Sequence, residues 1–177
     1  MARVYVGTYR AYANGNLFGK WLDLEDYADH EDFIEACKEL HSEELKQYGD
    51  VELMFQDYED FPHDFYSESN IDPRVWDWLE LSEHEQEMYG AYVEVVGRGI
   101  DDFDDVQDLV STANDNFIGR GESRGDIAEQ YLRDTGQLEG IPSTLRYHID
   151  FESYARDWAY EAWFGEYEGE SWAFHPH

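Results

Sequence analysis

Forty-two carboxylates share this chain with only 12 lysines and arginines, leaving a formal charge of -30 over 177 residues. Repulsion on that scale opposes any compact state, so folding requires apolar burial that outweighs it. The means are present: 42% of residues are hydrophobic and 17% aromatic, with 14 Tyr and 6 Trp. Disordered acidic segments are poor in aromatics. The sequence therefore describes a folded polyanion with a strongly acidic surface. Such a surface repels nucleic acid and anionic membrane and attracts basic protein grooves and cations.

The charge is spread, not pooled. Division after Phe61 and after Phe103 gives three segments with net charges of -10, -9 and -11. Helical spacing repeats the pattern locally. Over residues 29–47, Phe33, Ile34, Cys37 and Leu40 form an apolar stripe while Glu31, Glu35, Glu39 and Glu43 recur four apart. Like charges at that spacing cost a helix roughly 0.2–0.5 kcal/mol per pair. Residues 102–113 read the same way, with Phe103, Val106, Leu109 and Val110 inward and Asp102, Asp105 and Asp108 along one side. The helix from Ser82 adds Glu83 and Glu87. Any one stripe is an ordinary solvated face; three without interleaved lysine suggest a function for the charge. At about one charge per 1.7 Å of duplex, 42 carboxylates match at most about 70 Å, or on the order of 20 base pairs, provided the protein is elongated.

The elements predict an α+β fold of three small domains in series. In 1–61, residues 3–9 and 20–24 read as strands around Asn14-Gly15-Asn16, followed by a helix from Asp29 and a strand at 51–57. The segment 62–103 is mainly helical: Asp72 caps a helix with Pro73 in its first turn, and Ser82 with Glu85 has capping-box spacing. Gly97 or Gly99 ends that helix. In 104–177 a helix from Asp102, a short strand at 116–119, helices at 123–135 and 150–161 and a closing hairpin through Gly165 and Gly169 complete a second α+β region. No internal repeat is evident.

No GxGxxG, P-loop, HExxH, GxSxG or Cys/His metal spacing occurs, so no catalytic site, metal or cofactor is expected. Asp101-Asp102-Phe103-Asp104-Asp105 resembles the start of a calcium loop, yet lacks the glycine at the sixth position and the glutamate at the twelfth. Cys37 is alone, so no intramolecular disulfide can form. The first residues carry no apolar secretory segment and no stretch approaches the length of a membrane span, which points to the cytoplasm. Two other readings fit the composition: a protein adapted to high salt, and an acidic cation binder.

A family resemblance supplies a target. Residues 3–9 (RVYVGTY), Asn14-Gly15, Gly19, Trp21-Leu22-Asp23-Leu24, Phe55-Gln56-Asp57-Tyr58 and Ser67-Glu68 resemble the ArdA antirestriction proteins. So do Ile141-Pro142 and the run 145–157, LRYHIDFESYARD. The resemblance implies an elongated homodimer that mimics bent DNA, occupies the methyltransferase core of type I restriction-modification enzymes, and protects incoming mobile DNA. It places the family's antirestriction motif near residues 126–139, with Asp126, Glu129, Asp134 and Glu139 matching and Arg133 interrupting the acidic run. Trp163, Phe164 and Trp172 are candidate dimer residues if they are not core.

Overall fold

The computed structural model describes residues 1–176 and is α+β, as the sequence predicts. Two compact units form, Met1–Leu81 and Ser82–His177. The first contains β1 (Arg3–Thr8), α1 (Tyr9–Ala13), β2 (Lys20–Asp23), α2 (His30–Leu40), α3 (Ser42–Tyr48), β3 (Leu53–Glu59), β4 (Tyr66–Ser67), β5 (Asn70–Ile71) and α4 (Val75–Leu79). The second contains α5 (Glu83–Val96), α6 (Val106–Asn116), β6 (Phe117–Gly121), α7 (Arg124–Asp134), α8 (Ser143–Arg146), α9 (Phe151–Trp158), β7 (Trp163–Tyr167) and β8 (Glu170–Phe174).

In the first unit β1 is the centre of an antiparallel sheet ordered β2-β1-β3. Strand alternation sends Val4 and Val6 to one face, where they are buried with Phe33, Cys37 and Phe55. The rings of Phe33 and Phe55 stack at 6.0 Å. The opposite face carries Arg3, Tyr5 and Trp21, only half-buried. There Tyr5 meets Trp21 edge-on at 5.5 Å, and the Arg3 guanidinium lies 4.8 Å over the Trp21 ring. Residues 62–81 complete this unit: Trp76 Nε1 donates to the Tyr27 carbonyl at 3.0 Å, and Phe55 N donates to Glu68 O at 2.8 Å. The stretch 62–103 is thus shared between the two units, its helix α5 belonging to the second.

The second unit's sheet is ordered β6-β8-β7, which places the last strand in the middle. Trp172 and Phe174 point to one side and Ser171 and Ala173 to the other, yet all four are buried. Helices on both faces explain this. Phe174 packs edge-on against Tyr92 of α5 at 5.3 Å. A Cβ on Gly165, which pairs with Trp172, would come within 2.8 Å of Val95. On the other face Gly119, which pairs with Ala173, leaves just enough room for Ile127 of α7, at 3.2 Å from such a Cβ.

Local signals hold where their partners are close in sequence. Ser82 and Glu85 form the reciprocal capping box, and α5 ends at Gly97 in the left-handed region, φ 74°. Other expectations need correction. Helix α4 starts at Val75, two residues late, since the Asp72 side chain accepts from the Arg74 backbone and grips its guanidinium at 2.6 Å. The helix from Asp29 stops at Leu40, and α3 begins after a break at His41. His41 is 4% exposed and its Nε2 contacts the Val6 carbonyl at 3.2 Å. Residues 100–102 form a separate 3-10 turn and α6 begins only at Val106, capped by Asp105.

A short internal repeat, unseen in the sequence, also emerges. A 3-10 turn (Leu24–Asp26), an extended Tyr27 and the N-cap Asp29 precede α2; a 3-10 turn (Ile100–Asp102), an extended Phe103 and the N-cap Asp105 precede α6. Asp29 accepts from Asp32 N at 3.0 Å and Asp105 from Asp108 N at 2.8 Å. Asp32 and Asp108 reach back to the amides of Ala28 and Asp104 at 3.1 and 3.4 Å. Leu24, Phe33 and Cys37 in one copy and Ile100, Leu109 and Ala113 in the other are fully buried.

Candidate functional site

The candidate site is a distribution of charge, so each expected carboxylate is located individually. Glu31, Glu35 and Glu39 remain an exposed row along α2. Glu43 does not continue it: the break at His41 places it on α3, where it is 94% exposed and 3.4 Å from Lys46. Glu83 is exposed in the first turn of α5. Glu87 is half-buried and bridged to Arg120, whose guanidinium lies 5.3 Å over Trp172. Asp102, Asp105 and Asp108 are exposed but do not line one helical side: Asp102 sits in the 3-10 turn, Asp105 is the cap, and only Asp108 is helical.

In the motif region, three of the four residues lie on the outer side of α7, away from buried Ile127, Ala128 and Leu132. Asp126 accepts from the Ser123 hydroxyl at 2.8 Å, completing the helix start. Glu129 accepts from Arg133 at 2.6 Å, so the arginine that interrupts the acidic run is neutralised within its own helix. Asp134 accepts from Gln130 at 2.7 Å. Glu139 lies exposed beyond the helix end.

Sequence reasoning named Asp72 and Glu85 as helix-start residues but missed other carboxylates that serve structure. Glu44 is 15% exposed at its side chain, accepting from the Thr8 hydroxyl at 2.7 Å and from Arg10 at 3.2 Å. Glu152 accepts from the Gly125 amide at 2.8 Å. The Arg74 guanidinium holds the Asp72 carboxyl below the usual carboxylate range, and the Ser82 hydroxyl does the same for Glu85. Burial raises the Tyr167 hydroxyl, and neighbouring Glu168, Glu87 and Glu94 add to that. The Asp29 and Asp105 caps, and Asp126 three residues after the Ser123 cap, carry a local sign, an acid or serine set just before an apolar stripe.

None of the 42 carboxylates is among the buried residues. At least six cations are spent on neighbours: Arg3 on Glu59, Arg10 on Glu44 and Asp50, Lys46 on Glu43, Arg74 on Asp72, Arg120 on Glu87, and Arg133 on Glu129. Among the described residues, no group of three or more His, Cys, Asp or Glu is placed to hold a metal ion. No helix among them is long and apolar enough to cross a membrane. Of the candidate dimer aromatics, Trp172 is core at 1% exposure, while Trp163 and Phe164 are half-buried.

The family model of the antirestriction protein ArdA matches residues 4–170. The chain belongs to the ArdA family. That match reaches into both units and contains the repeat and the motif helix α7, and it ends at the first residue of β8. ArdA proteins are inhibitors, and membership implies antirestriction through interaction with restriction enzymes. No curated protein matches the chain.

Proposed function

We propose that the chain is a DNA mimic that fills the DNA-binding groove of a type I restriction-modification enzyme, at its methyltransferase core, and prevents restriction. The observation that carries this reading is that no acidic residue is among the buried ones while half the cations are consumed by internal pairs. The two units carry 20 acids with 6 bases and 22 acids with 6 bases, or net charges of -14 and -16, so neither is the acidic one. A target whose arginines and lysines engage phosphates would meet carboxylates at either unit. The surface acids are Glu31, Glu35, Glu39, Glu43, Glu83, Glu87, Asp102, Asp105 and Asp108, joined by Asp126, Glu129, Asp134 and Glu139.

In this reading the protein acts in the cytoplasm as a homodimer that protects incoming mobile DNA. It catalyses nothing, and occupation of the groove blocks modification together with cleavage. The test is competition: purified protein in stoichiometric excess at low salt, with a defined type I enzyme and its DNA. Loss of both DNA binding and cleavage supports mimicry; undiminished cleavage refutes it.

A further inference from the structure

A cavity of about 310 Å³ opens beside α1 and α3 of the first unit, its wall including Arg10, Phe18, His41, Glu43, Glu44 and Tyr48. That volume is at the small end of the roughly 300–1,000 Å³ of ligand sites, suited to a side chain. Phe18 and Tyr48 are each 55% exposed, and exposed Tyr12, Leu17 and Leu45 neighbour lining residues in sequence. Phe18 and Tyr48, exposed aromatics in the cavity wall, offer apolar surface for a contact.

The polar groups of the wall define what fits. His41 is 4% exposed, and its Nε2 faces the Val6 carbonyl at 3.2 Å. A carbonyl only accepts, so Nε2 carries a proton, and in the neutral ring Nδ1, which has no hydrogen-bond partner among the described residues, is an acceptor. Glu43, 94% exposed and 3.4 Å from Lys46, adds a carboxylate open to solvent, whereas both oxygens of Glu44 are engaged by Thr8 and Arg10. Arg10, the cation in the wall, is committed to Glu44 and Asp50, and its guanidinium lies 4.3 Å over the Tyr48 ring. What the wall offers a visitor is therefore the solvent-open Glu43 carboxylate, the second nitrogen of His41 and the exposed Phe18 ring. A guanidinium meets all three, through its planar donors, its charge and its affinity for ring faces; an ammonium matches the charge but lacks the fork and the plane.

We propose that this cavity seats an arginine side chain of a basic partner protein, anchoring the partner beyond what diffuse charge supplies. The inference rests on the reading above, in which the partner is a DNA-binding protein. The experiment is calorimetric titration of the full chain with acetyl-tetra-arginine amide and acetyl-tetra-lysine amide, equal in charge, at physiological salt. The arginine peptide is expected to bind about fivefold more tightly or better. Phe18→Ala with Tyr48→Ala should remove most of that preference, and Tyr160→Ala, at a 90% exposed position of the second unit, should leave it intact. A preference that survives the double variant, or is equally lost in Tyr160→Ala, overturns the proposal. Should the double variant fail to fold, amide NMR of the unaltered chain decides: the arginine peptide must shift residues 41, 44 and 48 first, and shifts spread evenly over acidic positions refute it. The outcome is independent of restriction inhibition. A chain that shows the preference but does not inhibit refutes the functional reading alone, and the converse refutes the cavity alone.

Discussion

The two units start from the same device and finish their sheets differently. Each has a 3-10 turn, an extended aromatic, an aspartate cap and a helix, with cap angles of φ -160° at Asp29 and φ -155° at Asp105. In the first unit the sheet leaves one face half-open, with Arg3, Tyr5 and Trp21 on it. In the second, helices α5 and α7 cover both faces of β8, and the strand is buried from Ser171 to Phe174. The difference shows how a chain of -30 stays folded. No acidic residue is among the buried ones, although Asp64 Oδ1 is covered; several are used to start helices, and cohesion comes from aromatics packed between layers.

Substitution of one tryptophan in each sheet would break that comparison most directly. Trp172→Ala removes a ring that is 1% exposed between two covered faces, and should cost about 3–5 kcal/mol in urea unfolding. Trp21→Ala, on the half-open face, should cost only about 1 kcal/mol, mainly the ring's contacts with Arg3 and Tyr5. Similar losses would mean that the open face is covered in solution.

The covered face of the first sheet has its own probe. Burial pushes the Cys37 thiol up to about 12 from an ordinary value of 9.0. The thiolate is the reactive form, so at pH 8 its fraction falls about a thousandfold, and alkylation of the native protein should be slower by at least that factor than in urea. The sign also requires reactivity to keep rising with pH past 9, without a plateau there. Rapid native labelling would show that α2 opens readily from its sheet.

The smallest effect concerns helix starts. Ser82→Ala removes the hydroxyl from the capping box of α5 and should cost about 1 kcal/mol, and Asp105→Ala should cost a similar amount at α6. If Asp105→Ala costs nothing, the acid is there for its charge alone.

What the sequence revealed follows the same division between near and far. The capping box at Ser82 and the hairpin joining β7 to β8 depend on residues within a few positions, and both were legible. The break at His41 was not, because its contact is with the Val6 carbonyl 35 residues away while the four-residue spacing of Glu31, Glu35, Glu39 and Glu43 runs on across it. The repeat was masked by substitutions that preserve only burial: Leu24 with Ile100, Phe33 with Leu109, Cys37 with Ala113. Asp102, Asp105 and Asp108 looked like a helical face since their spacing fits one, although the cap before Val106 was a competing sign. At the candidate site, exposure of acids was foreseeable from charge; their partners, such as Thr8 with Glu44 or Arg120 with Glu87, required the fold.

The central claim is that the surface replaces DNA in a target's groove. Its most direct measurement is inhibition of a type I restriction enzyme at fixed protein and DNA concentrations over a series from about 50 to 200 mM salt, where phosphate-like contacts weaken steeply. Mimicry predicts complete, stoichiometric loss of DNA binding at the low end, and an apparent inhibitor affinity that declines with salt alongside the enzyme's affinity for DNA. Inhibition that leaves the enzyme bound to DNA, or an affinity indifferent to salt, would contradict it.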